Sequence, residues 1–292
     1  MRIGLFIATT NPFATPELLA TVAGVAEEGG FSSVWVGEHA VLVDEYESRY
    51  PYADDGKIPL RGETGLLEPF DSLSFLAALT SRVRLGTAVC LLPQRNPVYT
   101  AKDASTVDWL SAGRLDLGIG VGWLRDEFDA VAAPFEHRAE RCREYIEIMR
   151  RLWCDDVSEH QGRFYSLPRC RMYPKPVQQP HPPLYFGGES DAALRRVADL
   201  GRGWHGFNLG PDEAAERVGR LEGLLTERGR TLADIDVTVS SYLKPVEPKS
   251  LAAYRDAGVD QLVLPAFATD SEQMRALVGG LSEQFVELAG EM

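Results

Sequence analysis

Short runs in which almost every residue is apolar alternate along this chain with longer stretches in which apolar residues recur every three or four positions. The first pattern suits strands buried on both faces, the second helices with one buried stripe, and their alternation predicts βα units around a parallel sheet. Eight strands are predicted, over 3–7, 33–37, 83–89, 115–120, 183–187, 204–208, 236–240 and 261–265. Between the first two, residues 16–30 carry Leu18, Leu19, Val22, Val25 and Ala26 at helical spacing and stop at Gly29-Gly30. The stretches 97–111, 136–153, 191–200, 211–228, 249–257 and 270–289 behave in the same way. Eight such strands in 292 residues predict an α/β fold, a (β/α)8 TIM barrel in a single domain spanning 1–292.

Two segments break the repeat. Residues 41–67, after strand two, and 155–182, before strand five, are long and rich in proline, glycine, charge and aromatics. An insertion after the C-terminal end of a barrel strand falls on the face that carries barrel active sites, so 41–67 is expected to act as a lid.

Composition narrows the function classes. The apolar fraction of 45% and charged fraction of 25% are those of a globular protein. A net charge of −13, with no basic block, speaks against nucleic acid or an anionic membrane surface as partner. No apolar stretch reaches the ~18 residues of a membrane span, and the short apolar run at the N-terminus reads as a first strand rather than a signal peptide. Four cysteines without Cys-x-x-Cys spacing read as reduced thiols, and the expected location is cytoplasmic.

The candidate chemistry begins at WVGEHA, residues 35–40, where a buried strand ends in Glu38 and His39. Such a pair either anchors a loop or serves a site; His39 is the better catalytic candidate, since imidazole titrates near neutrality. Gly118, Gly120 and Gly122 fall at the end of strand four and just beyond it, but Trp123 stands where the G-x-G-x-x-G dinucleotide fingerprint needs its third glycine, so these glycines indicate close approach of backbone or ligand instead. After strand five, Gly187-Gly188-Glu189-Ser190 opens a helix with Ser190 as N-cap, which is either an ordinary capped turn or an anion site. The remaining histidines stand singly, so no metal site is expected, although His205 on strand six can reach the barrel mouth. No G-x-S-x-G elbow supports a serine hydrolase.

The stretches GFSSVWVGEHA, EPFDSLSFLAALTSRVRLGTAV, RNPVYTAKDASTVDWLSAGRLDLGIGVGW, RAERCREYIEIMRRLW and YPKPVQQPHPPLYFGGES together resemble the bacterial luciferase-like superfamily, particularly its coenzyme F420-dependent oxidoreductases. The resemblance implies a deazaflavin or flavin ring held at the strand ends. It implies further that His39 lies near the reactive ring with Glu38 as acidic neighbour, and that Ala88-Val89 forms a non-proline cis peptide behind the ring. Gly187, Gly188, Glu189 and Ser190 match the family's phosphate turn, flanked by Val121 and Gly122. Val43 and Trp123 stand where F420-dependent glucose-6-phosphate dehydrogenases have tryptophan and glutamate, which speaks against a sugar-phosphate substrate. Val121 replaces the arginine with which luciferases meet the FMN phosphate, with Arg125 nearby, and this favours F420.

The expected function is therefore hydride transfer between F420 and a small organic substrate held beneath residues 41–67, with Tyr46, Tyr50 and Tyr52 either closing over it or stabilising the loop. An FMN-dependent two-component monooxygenase is the alternative, and a non-catalytic flavin-binding protein ranks below both. A homodimer is implied by the resemblance alone.

Overall fold

The computed structural model describes residues 1–60 and 63–291. Eight parallel strands close into a barrel in the order β1-β10-β9-β8-β7-β4-β3-β2. They are β1 (Arg2–Ile7), β2 (Ser33–Val36), β3 (Arg84–Thr87), β4 (Leu115–Ile119), β7 (Leu184–Gly187), β8 (Gly203–Phe207), β9 (Asp236–Ser240) and β10 (Gln261–Ala266). All eight coincide with the strands read from hydrophobic patterning. The remaining pair, β5 (Ser158–Gln161) and β6 (Ser166–Cys170), is an antiparallel hairpin inside the 155–182 insertion. Patterning did not predict it, because its strands are short and largely exposed.

Helices cover the outside. α1 (Pro16–Glu28) starts at Thr15, whose hydroxyl accepts from the Leu18 N–H, and α3 (Pro97–Leu110) starts at Asn96 in the same manner. α5 (Arg138–Cys154), α6 (Asp191–Leu200), α7 (Pro211–Thr226), α8 (Leu251–Asp256) and α9 (Ser271–Leu281) follow the predicted segments, and α9 runs through one wide π turn into α10 (Glu287–Glu291). Two helices were not anticipated. α2 (Pro69–Leu79) is apolar on almost every side and so shows no stripe, and α4 (Arg125–Ala130) is too short for a period to register.

The core has two parts. One lies between barrel and helices; the other fills the barrel and consists of Phe6, Trp35, Tyr185 and Val263. Trp35 is fully buried, donates from Nε1 to Ser33 Oγ at 2.8 Å and packs edge-on against Tyr185, with ring centroids 5.4 Å apart. Its indole occupies the volume that a side chain at Gly86 would need, since a Cβ there would lie 2.2 Å from the ring. Gly203 makes the same concession to Tyr185, at 2.1 Å. Below this layer, the ion pairs Arg84–Asp116 and Arg2–Asp236, each 2.5 Å, and the Tyr185 hydroxyl donating to Asp236 close the barrel's lower end. The barrel is therefore plugged, and open volume remains only at the C-terminal ends of the strands.

Gly86→Ala is expected to destabilise the protein by about 1–3 kcal/mol through overpacking against a ring that cannot withdraw. Urea unfolding followed by tryptophan fluorescence measures this, and an unchanged midpoint would show that the ring has room to move.

Candidate active site

A cavity of about 240 Å³ opens above the Trp35 layer. Of the residues singled out from sequence, Glu38, His39, Ala88, Val89, Val121, Gly122, Gly187 and Gly188 line it, whereas Glu189 and Ser190 stand behind it in the β7–α6 turn. From the 41–67 segment, Tyr50, Pro51, Tyr52, Ile58, Leu60 and Leu66 also line it. Tyr46 does not line the cavity but packs edge-on against Trp123, which does.

The wall behind the cavity is built by the end of β3. The Ala88–Val89 peptide is cis, and the Val89 side chain sits in a notch left by three glycines of neighbouring strands. A Cβ at Gly120 would lie 2.4 Å from Val89, and at Gly187 3.0 Å. Gly118 lets β3 approach still closer, since its Cβ would fall 1.9 Å from the Thr87 carbonyl oxygen. Gly122 has φ of +77° and faces the Phe128 ring. The space these alternating glycines leave is thus taken by protein, with the result that an apolar ledge is presented to the cavity.

Glu38 and His39, adjacent in sequence, have separate partners. Glu38 accepts from the Leu91 N–H at 2.7 Å and from Arg95 Nε at 2.6 Å, and Arg95 in turn pairs with Glu68. Burial pushes the Glu38 carboxyl up from the ordinary range, against the opposing pull of Arg95. The acidic partner of His39 is instead Glu127 of α4, with Nδ1 to Oε2 at 3.0 Å. Glu127 is buried and also accepts from the Ala40 N–H at 2.7 Å and Gln94 Nε2 at 3.2 Å. Both Glu127 oxygens already accept from N–H donors, and with Oε2 accepting from His39 as well, Nδ1 is the donor and Nε2, which has no partner among the described residues, is left with its lone pair. Nothing in the sequence marked Glu127, because an acidic residue in the first turn of a helix is commonplace.

His205 forms part of the cavity floor, 4.7 Å from Trp35 between ring centroids, and neither of its nitrogens has a partner. Burial pushes it down to about 3, so the ring is neutral. Two unpaired ring nitrogens below an apolar ledge suit a flat ligand with polar edge atoms, and the residues present therefore fit a flavin-type ring.

The β7–α6 turn supplies the third component. Gly188 has φ of +100°, a conformation that excludes other residues, and Ser190 Oγ accepts from the Ala193 N–H at 3.3 Å as N-cap of α6. Glu189 accepts from the Phe207 N–H at 2.9 Å and from the Tyr52 hydroxyl, which ties the 41–67 segment to the barrel; burial pushes its carboxyl up to about 7. Arg125, the cation noted in the sequence near Val121 in the strand-four loop, turns away to Glu136 at 2.8 Å. Arg138 takes its place, donating from Nε to the Gly122 carbonyl at 3.1 Å. Sequence order gave no hint of it, because it belongs to the next helix.

The luciferase-like monooxygenase family model matches residues 1–284. The chain belongs to that family. An uncharacterised protein of Mycobacterium tuberculosis is 35% identical over 272 residues, covering 91% of this chain and 92% of the relative. Among solved structures, the monooxygenase RslO1 of Streptomyces bottropensis superposes with a TM-score of 0.77 at 22% identity, over 98% of this chain and 99% of that one. A coenzyme F420-dependent tetrahydromethanopterin reductase of Methanopyrus kandleri gives 0.75 at 17% identity, over 98% of both chains. These two likenesses show a shared fold. Members of the luciferase-like family are oxidoreductases and monooxygenases, and this barrel, with its polar groups at the strand ends, is one of their number. Among the described residues, no helix is long and apolar enough to cross a membrane.

The unpartnered His205 generates a pH prediction. An ordinary histidine protonates near 6.5, so as pH falls below that value the unfolded chain takes up a proton that the folded one refuses until about 3. Relative to His205→Gln, wild-type stability should fall with acidification across this window, by up to ~1.4 kcal/mol per pH unit, and not above it. Urea titrations at several pH values check this; parallel curves for the two proteins would remove His205 as the source.

Proposed function

We propose that this protein is an F420-dependent oxidoreductase that transfers a hydride between the deazaflavin and a small organic substrate, with His39 handling the accompanying proton. The observation that carries this reading is the His39–Glu127 hydrogen bond, 3.0 Å long, which leaves Nε2 free at the edge of the cavity. When bound, the deazaflavin supplies a two-electron hydride donor or acceptor.

The residues that would hold it are the Ala88-Val89 ledge, His205 beneath, and the Gly187–Ser190 turn with Val121 and Gly122 for its phosphate. Arg138 is the cation beside that loop. In substrate oxidation, His39 Nε2 accepts the hydroxyl proton, and buried Glu127 stabilises the imidazolium so formed. In reduction the same nitrogen returns the proton. Glu38 is a positioning residue: it clamps Leu91 and Arg95 behind the Ala88-Val89 ledge. Tyr50, Tyr52 and Ile58 exclude water from above.

His39→Ala is expected to lower kcat by about 10²–10⁴ while leaving cofactor affinity within about threefold. Glu127→Gln, which keeps a hydrogen-bonding group but removes the charge, should lower kcat less and, in the direction that needs the base, shift the acidic limb of the kcat profile towards lower pH, because an imidazolium without its counter-charge gives up its proton more readily. Unchanged turnover in both variants would remove the pair from the chemistry.

A second reading is an FMN-dependent monooxygenase, favoured by Arg138, whose guanidinium can meet a phosphate where Val121 cannot. Titration of the purified protein with F420 and FMN separates the two, and tight FMN binding without F420 binding overturns the first. The proposed substrate is a small organic molecule, and the proposed assembly is a homodimer. Exposed Phe75 and Leu79 of α2 and Tyr99 and Trp109 of α3 give apolar surface for the latter. Light scattering should return twice the 32.2 kDa chain mass; a monomer at micromolar concentration would refute it.

A further inference from the structure

Outside the active site, a second cleft of about 610 Å³ separates α5 from α6 and is roofed by the tip of the β5–β6 hairpin. The two helices are tied by Arg143–Asp199 at 2.7 Å and by Arg150 donating to the Leu200 carbonyl at 2.8 Å, further down the cleft. Arg196 of α6 lines the cleft with only 6% of its surface exposed. It has no hydrogen bond and no ion pair among the described residues, and burial pushes its pKa down. A buried guanidinium without a counter-charge is costly unless a ligand supplies one.

The acidic groups nearby do not supply it. Glu140 pairs with Arg163 at 2.6 Å, Glu147 with Arg151 at 2.6 Å, and Glu144 accepts from the N–H groups of Arg163, Phe164 and Tyr165 in the hairpin tip. The cleft adjoins the phosphate turn. Ala192, one helical turn above Arg196, lines it and follows Ser190 by two residues, while Ala139 on the opposite wall follows Arg138, which bonds Gly122 of the active-site loop.

We propose that this cleft receives an acidic extension of the bound cofactor beyond its phosphate, with Arg196 as the cation that binds its carboxylates. The proposal rests on the F420 reading: F420 continues past the phosphate into an oligoglutamyl tail, whereas FMN ends there. In a chain of net charge −13, a local uncompensated cation is the means of retaining such a polyanion.

The test compares F420 carrying its oligoglutamyl tail with the form truncated after the phosphate-bearing lactyl group, and with FMN, by fluorescence titration. Wild type should bind the tailed form about tenfold more tightly than the truncated one, the scale of one charge-assisted contact. Arg196→Met should bring the two together without weakening the truncated form, and Arg196→Lys should retain part of the difference. Raising salt on the wild type alone should shrink the preference, which keeps the test independent of whether a variant folds. Equal weakening of both forms in Arg196→Met, or an undiminished preference, overturns the tail site and leaves the F420 reading standing. Binding of FMN with neither F420 form overturns both.

Discussion

Everything above the barrel floor depends on one packing arrangement, the Trp35 indole lying within the barrel where Gly86 gives it room. The ring meets Tyr185 on one side and His205 on another, and it leaves the lower end of the barrel to the partly exposed ion pairs Arg84–Asp116 and Arg2–Asp236. With the interior filled from below, the open volume within the barrel lies at the strand ends, as in other plugged barrels. His205 is drawn into this arrangement: its ring packs at a tilt against Trp35 while its nitrogens stay unpaired at the edge of the cavity.

Around that floor, the polar groups work in pairs gathered from distant parts of the chain. His39 at the end of β2 meets Glu127 of α4, and Glu38 beside it meets Arg95 ahead of α3. Adjacent residues leaving a strand diverge, so one carboxylate–imidazole dipeptide serves two loops at once. Glu38 braces the ledge behind the cavity and His39 faces its opening. The 41–67 segment is joined to the same frame through Tyr52 and Glu189, and through the Tyr52 carbonyl, which accepts from Asn208.

Apart from the strand-end pair Glu38-His39, the parts of the site that could be read from sequence share a property: each is a local backbone device. The turn Gly187–Ser190 announces itself through glycine and a capping serine, and the Gly118/Gly120/Gly122 series through spacing alone. The meaning of that series was less legible, because only the fold brings Val89 and Phe128 into the gaps the glycines leave. Glu127, Arg95, Arg138 and Arg196 were not marked, since each looks like an ordinary surface charge on a helix or loop. Arg125, closer in sequence to Val121 and Gly122 than Arg138, pairs with Glu136 instead.

The eight barrel strands and most of the helices follow from periodicity, because a strand buried on both faces and a helix buried on one leave different hydrophobic signatures in any chain. The strand-end position of Glu38 and His39 follows too, since charged groups are tolerated only where such a strand stops being enclosed. Which carboxylate meets which cation is another matter. Those pairings join residues 57 and 88 positions apart, and their energies come from distance and desolvation, quantities that exist only once the barrel has closed.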